Sequence, residues 1–175
     1  VGGIVSGFDF LRNLAFKNKR KLYIPTGAIS GIDALKAARL SKINSVTLTT
    51  TKNPLSFKGV EYIKQKNIKI DKIKGDKVLF YGRAIDAVKY FPQNINVAAV
   101  LSLAGIGPKK TYVKIIASSK TSKNIHEIEV KSSSARITTR TENELHPDNP
   151  KTSYLAVLSA AATLRKILEP VVIGT

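Results

Sequence analysis

Five stretches of this chain read as β-strands: SVTLTTTKNP (45–54), KVLFYG (77–82), TYVKIIAS (111–118), NIHEIEV (124–130) and ARITTRT (135–141). Most of them alternate apolar and polar residues with a period of two. That period sends successive side chains to opposite faces of an extended chain, so such segments are stable only in a sheet with one face buried. In the first, Val46, Leu48 and Thr50 share a side. In the fourth, Ile128 and Val130 face one way and Glu127 and Glu129 the other. The last three are joined by short polar loops, and the expectation is an antiparallel meander.

Helical spacing fills the gaps between these strands. PTGAISGIDALKAARL sets Ile32, Leu35, Ala38 and Arg39 along one helix after a glycine-flanked turn. RAIDAVKYF reads as a short helix. NINVAAVLSLAG aligns Val97, Val100, Leu101 and Ala104, with Asn94 or Asn96 as N-cap and Gly105 as the stop. NPKTSYLAVLSAAATLRKI predicts a long helix with Leu155, Leu158, Ala162 and Ile167 as its buried stripe. EPVVIGT is expected to close the chain as a short strand. The fold class is therefore α/β with an α+β-type domain, a mixed and largely antiparallel sheet with helices packed on it. The opening residues, VGGIVSG, FDFLRNLAFKNK and KLYIPTG, predict strand, helix, strand, the last βα unit of a parallel sheet.

Composition narrows the chemistry. The chain has 175 residues, no Cys, no Met and two His. Without Cys there are no disulfides, thiolate metal sites or cysteine nucleophiles, and two separated histidines make a zinc site a poor reading. The absence of Cys and Met beside abundant Lys points to a thermophile's usage. No apolar run has the length of a membrane span. VGGIVSGFDF carries no signal-peptide pattern, so the expected location is the cytoplasm, and without an initiator Met the chain is expected to begin within a longer protein. The net charge of +17 raises nucleic-acid binding as a rival function. The lysines are spread along the chain, however. The densest run, YIKQKNIKIDKIKGDK (62–77), reads as a lysine-protected edge strand with one aromatic and no stacking platform.

Three places invite chemistry. His126 belongs to the inward set with Ile128 and Val130, which suits either a core histidine or a proton-transfer group at the bottom of a cleft. The turn before Ile32, with Ala28 and Ser30, is either an anion or cofactor contact or a connection that needs its glycines. Lys151, Thr152 and Ser153 combine a cation and two hydroxyls at a helix start, and suit either capping or a carboxylate. His146, before Pro147, reads as an exposed turn residue. GIG at 105–107 follows a helix and is a helix stop. The G-x-G-x-x-G fingerprint is absent from all 175 residues.

Taken in order, PTGAISGIDALKAARL, VTLTTTKNP, FPQNINVAAVLSLAGIG, NIHEIEV and DNPKTSYLAVLSAAATLRKILEPVVIGT resemble the catalytic half of the L-aspartate dehydrogenase family, from about residue 20 to the C-terminus. The resemblance implies residues 1–25 as a remnant of an N-terminal Rossmann domain and 26–175 as the catalytic and dimerisation domain. It implies oxidation of L-aspartate at Cα with NAD or NADP. Iminoaspartate would be the first product, hydrolysing to oxaloacetate and ammonia or passing to quinolinate synthase for NAD synthesis. It also implies His126 as the active-site residue, Ala28 and Asn96 as cofactor contacts, and a homodimer. Chemistry agrees about His126: hydride leaves Cα only when the amine is uncharged, and a base of near-neutral pKa suits that step. Lys151, Thr152, Ser153 and Ser30 follow as candidates for the substrate carboxylates on chemical grounds alone. A related two-domain enzyme acting on homoserine or another amino acid is the nearest alternative.

Overall fold

The alternating segments form one sheet, as their period requires. In a computed structural model describing residues 2–92 and 95–174, with the side chains of Pro150 and Lys151 also outside the described set, five strands lie in the order β2-β3-β1-β4-β5. They are β1 (Ile43–Lys52), β2 (Asp76–Arg83), β3 (Tyr112–Ser118), β4 (Asn124–Ser132) and β5 (Arg136–Asn143). β1 and β3 pair in parallel, and the other three pairings are antiparallel. The sheet is mixed and largely antiparallel. The meander is corrected in one respect: β4 and β5 form a hairpin, but β1 inserts between β3 and β4. Sequence order cannot reveal such an insertion, because each strand's pattern specifies a buried face and not a neighbour.

One sheet face is buried by Val46, Leu48, Val113, Ile115, Ile128 and Val130. Against it pack α2 (Ile32–Ala38), through Ile32 and Leu35, and α5 (Asn96–Ala104). Residues 97–102 of α5 are all buried, so this helix is apolar all round rather than striped. Its N-cap is Ile95, with no side-chain cap bond; Asn94 lies outside the described residues. Strand β2 leads into α4 (Ala84–Tyr90). Phe80, Tyr90 and Phe91 then meet Tyr62 of α3 (Glu61–Gln65) in an aromatic cluster with ring centroids 5.0–6.1 Å apart. The lysine-rich run is therefore a short helix and a 3-10 turn (Ile70–Lys72), not an edge strand. Ile63 and Ile70 must be buried, and Asn67 turns the chain at φ +51° between them. The outer sheet face is polar: Arg140 bridges Glu127 and Glu142 at 2.7 and 2.8 Å, and Arg136 reaches Glu129 at 2.8 Å.

The two ends depart further from expectation. The N-terminal residues form a 3-10 turn (Gly2–Ile4) and α1 (Phe8–Lys17), and 20–30 runs without strand. A lone extended segment with no partner strand has nothing to bond its backbone. Near the C-terminus, β6 (Leu145–His146) pairs with β7 (Asn149–Ser153), and α6 (Tyr154–Leu168) follows. NPKTS is thus a strand whose last residue, Ser153, is the N-cap of α6. The expected stripe is not buried: Leu155, Leu158 and Ile167 are 40%, 48% and 45% exposed. The helix instead meets the domain through half-buried Ala156 and Ser159, whose hydroxyl accepts from the Gly27 amide at 3.0 Å. No strand forms over 169–174.

Glycine is required at one turn in particular. Gly31 lies at φ +82°, and a Cβ there would come within 2.8 Å of the Thr139 methyl. Gly59, at φ +87°, has open space around the same position. Gly31→Ala is expected to lose roughly 2 kcal/mol or more in urea unfolding, and Gly59→Ala about 1 kcal/mol from backbone strain alone. Equal losses would remove the Thr139 contact from the account.

Candidate active site

Along the buried sheet face, hydrocarbon gives way to polar side chains at one end. Thr50 pairs with His126, and His126 in turn with Thr141, so three adjacent strands present hydroxyl, imidazole, hydroxyl in one row. One step further, Asn124 of β4 stands opposite Asn143 of β5, and Lys52 ends β1 on the same face. Strand parity makes this arrangement. Val46, Leu48, Thr50 and Lys52 share a face, as do Val130, Ile128, His126 and Asn124, and the apolar halves lock the register that aligns the polar halves.

Neutral groups in this cluster are largely paired. Thr50 Oγ1 lies 3.0 Å from His126 Nδ1. The Ser30 and Thr141 hydroxyls lie 3.1 Å apart. Asn143 Nδ2 donates to the Ala28 and Asn124 carbonyls, each at 3.1 Å, and Asn124 Nδ2 donates to Ser153 Oγ at 3.0 Å. The 27–31 turn and the start of α6 are thereby tied over the polar end. Two groups remain. Asn143 Oδ1 is buried with no hydrogen-bond partner among the described residues. Lys52 is 6% exposed, and burial alone lowers its ammonium from 10.5 to about 8, with no carboxylate raising it.

His126 is 3% exposed, and its pKa is pushed down to about 3, first by burial and then by the Lys52 charge. This departs from the near-neutral value expected of a base: the free imidazole is uncharged throughout ordinary pH. What surrounds it on its row is hydroxyl on both sides rather than packed hydrocarbon.

The remaining expected residues fall as follows. Ala28 is buried and offers its carbonyl to Asn143. Asn96 opens α5, exposed, with its Oδ1 accepting from the Gly2 amide at 2.9 Å. The Gly27 turn abuts Val97, next to Asn96. Ser153 is buried against Asn124, and Thr152 is half-buried in β7. The Lys151 side chain lies outside the described residues. His146 is half-buried, stacked edge-on against Tyr154 at 5.2 Å, with Nδ1 accepting from the Asp148 amide. Sequence reading missed Lys52, Asn124, Thr141 and Asn143. Lys52 was within reach, since it continues the Val46, Leu48, Thr50 parity by one step. A hollow of about 320 Å³ lined by Lys58, Val60, Ile63, Ile68, Ile70 and Lys72 shares none of these residues.

The chain resembles known proteins over almost all its length. A family model described as aspartate dehydrogenase, C-terminal, matches residues 33–167. The L-aspartate dehydrogenase of Methanococcoides burtonii is 58% identical over 155 residues, 89% of this chain and 57% of that protein. That of Methanosarcina mazei is 50% identical over 95% of this chain and 62% of its own. The crystal structure of aspartate dehydrogenase from Thermotoga maritima aligns with a TM-score of 0.76 at 28% identity, covering 99% of this chain and 65% of that one. The chain thus spans less than two thirds of each.

A buried cation with no acidic partner among the described residues has a consequence for stability. Below pH 8, Lys52 is charged in both folded and unfolded chains, and the folded state bears the full desolvation penalty, on the order of 3 kcal/mol. Between pH 8 and 10.5 the folded chain sheds the proton first, so the penalty fades as pH rises. Lys52→Met is therefore expected to be more stable than the parent chain below pH 8, with the gap closing toward pH 10.5. Urea unfolding of both across that range checks it, and a gap independent of pH would count against the buried charge.

Proposed function

Since this chain belongs to the aspartate dehydrogenase family through its C-terminal domain, we propose that it forms the catalytic part of an L-aspartate dehydrogenase. The reaction is oxidation of L-aspartate at Cα to iminoaspartate, with NAD or NADP as hydride acceptor. Iminoaspartate then hydrolyses to oxaloacetate and ammonia or passes to quinolinate synthase toward NAD. The observation that carries this reading is the buried His126–Thr50 pair at the polar end of an otherwise apolar sheet face.

His126 is the acid/base in this reading. When Nδ1–H donates to Thr50 Oγ1, Nε2 keeps its lone pair and can take a proton from the substrate ammonium. Loss of that proton frees the amine lone pair, which stabilises the iminium forming as hydride leaves Cα. Buried imidazole is a weak base in the free chain, but the carboxylates of a bound substrate offset the cation beside it and raise its affinity for a proton. Thr50 and Thr141 hold the ring by position and Ser30 holds Thr141, while Thr152, Ser153 and Lys151 are assigned to the substrate carboxylates.

The nicotinamide end of the cofactor suits these residues. Asn143 Oδ1 is an unmet buried acceptor beside the Ala28 carbonyl, and a carboxamide carries the donors it lacks. Ala28 and Asn96 are the residues assigned to hold that end. When bound, the cofactor supplies the hydride acceptor. No G-x-G-x-x-G is available here for the pyrophosphate. Residues 1–25 are assigned to the edge of a dinucleotide-binding domain and 26–175 to the catalytic domain. In support, α1 leaves Phe10, Leu14 and Phe16 exposed, ahead of the start of the family match at Asp33. A homodimer and a cytoplasmic location complete the proposal. The exposed Leu155, Val157 and Leu158 of α6 support the dimer, and the soluble substrate and cofactor support the location.

The test joins this chain to the part of the Methanococcoides burtonii relative that it does not span, and follows reduced nicotinamide. L-aspartate is expected to be oxidised well ahead of L-homoserine, and His126→Ala to lower kcat by roughly 10²–10⁴ with the fold retained. Parent-like kcat in that variant rules out the base role, and equal use of homoserine rules out the substrate.

A further inference from the structure

We infer that Lys52 is the residue that binds the side-chain carboxylate of the substrate and so selects a dicarboxylate over neutral amino acids. The inference rests on the aspartate reading above and divides its carboxylate contacts, giving the side-chain carboxylate to Lys52 and leaving Thr152, Ser153 and Lys151 to the α-carboxylate. Three observations carry it. Lys52 sits on the inner sheet face, on the strand bearing His126's partner Thr50 and two residues beyond it, about 7 Å along the strand. It is more than nine-tenths buried, yet no acidic side chain pairs with it among the described residues. Within the same set it is the sole Lys or Arg among the buried side chains, on the sheet face that also carries Thr50, His126, Asn124 and Asn143.

Charge logic does the rest. A lysine inside a domain is ordinarily paired, because removing its hydration is unfavourable. Here no acidic side chain pairs with it among the described residues, and its charge adds to the burial that holds the adjacent imidazole uncharged. Both penalties are relieved by the same event, arrival of a carboxylate. The α-carboxylate is common to every amino acid, and the neighbouring hydroxyls and amides are sufficient neutral donors for it. Distinguishing aspartate from its isostere asparagine requires a group sensitive to the full negative charge on the distal carbon, and the buried ammonium is that group. Lys52 is thus a destabilising residue retained for binding, a pattern expected at functional positions.

Isothermal titration of the 175-residue chain with L-aspartate and L-asparagine tests this without turnover. The parent chain is expected to bind L-aspartate at least about tenfold more tightly than L-asparagine. Lys52→Met is expected to lose at least about tenfold for L-aspartate while L-asparagine binding hardly changes, so that the preference collapses. Lys52→Gln serves as a second variant of similar reach, and urea unfolding of both excludes a folding defect. A preference preserved in the variants overturns the role of Lys52 while leaving the aspartate reading standing. A destabilised Lys52→Met also overturns it, since that marks a structural lysine. A parent chain that binds neither amino acid overturns the dicarboxylate site and the reading beneath it together.

Discussion

The β1–β4 register is the constraint from which the candidate site follows. Val46 stands opposite Val130, Leu48 opposite Ile128 and Thr50 opposite His126. A slip of one residue would turn Glu127 and Glu129 into the core and His126 out to solvent, so the apolar pairs enforce the alignment far more strongly than the polar pair could. Hydrophobic burial at one end of two strands thereby fixes chemistry at the other. The hydroxyl–imidazole contact of 3.0 Å is inherited from that register.

Polar groups inside a sheet face are tolerable only when paired, and most of these are. Asn124, Asn143, Ser153, Ser30 and Thr141 satisfy one another or the backbone of the 27–31 turn, and in doing so draw the turn and the head of α6 over the polar end. The same bonds that close the core also assemble the cluster. The exceptions are the Lys52 ammonium and the Asn143 amide oxygen, among the described residues one a cation without an acid and the other an acceptor without a donor.

Periodicity read best where tertiary context merely confirmed it. The five strands of the sheet, α2, α4 and α5 appear close to where their patterns put them, because alternating or helical apolar spacing has one way of being buried. It failed where the neighbour decided. Ile63 and Ile70, spaced through a lysine-rich run, looked like an edge strand but are buried from a short helix and a 3-10 turn beneath the aromatic cluster. The stripe of α6 looked like core but stays largely exposed, because a helix can be amphipathic without its own domain supplying the partner surface. His126 was legible as an inward imidazole from parity alone, and its family role came from resemblance. Its depressed pKa was not legible, because that depends on burial and on a lysine 74 positions earlier in the chain.

By itself the sequence determined which strand faces are apolar, that cysteine chemistry is excluded, and that one histidine points inward. These follow from side-chain period and residue type, which are local properties. Only the tertiary structure decided that β1 lies between β3 and β4 and that Lys52, Thr50, His126, Thr141, Asn124 and Asn143 share one surface. Strand order is a non-local choice, settled by how whole faces pack. A cluster drawn from three strands therefore exists only once that choice has been made.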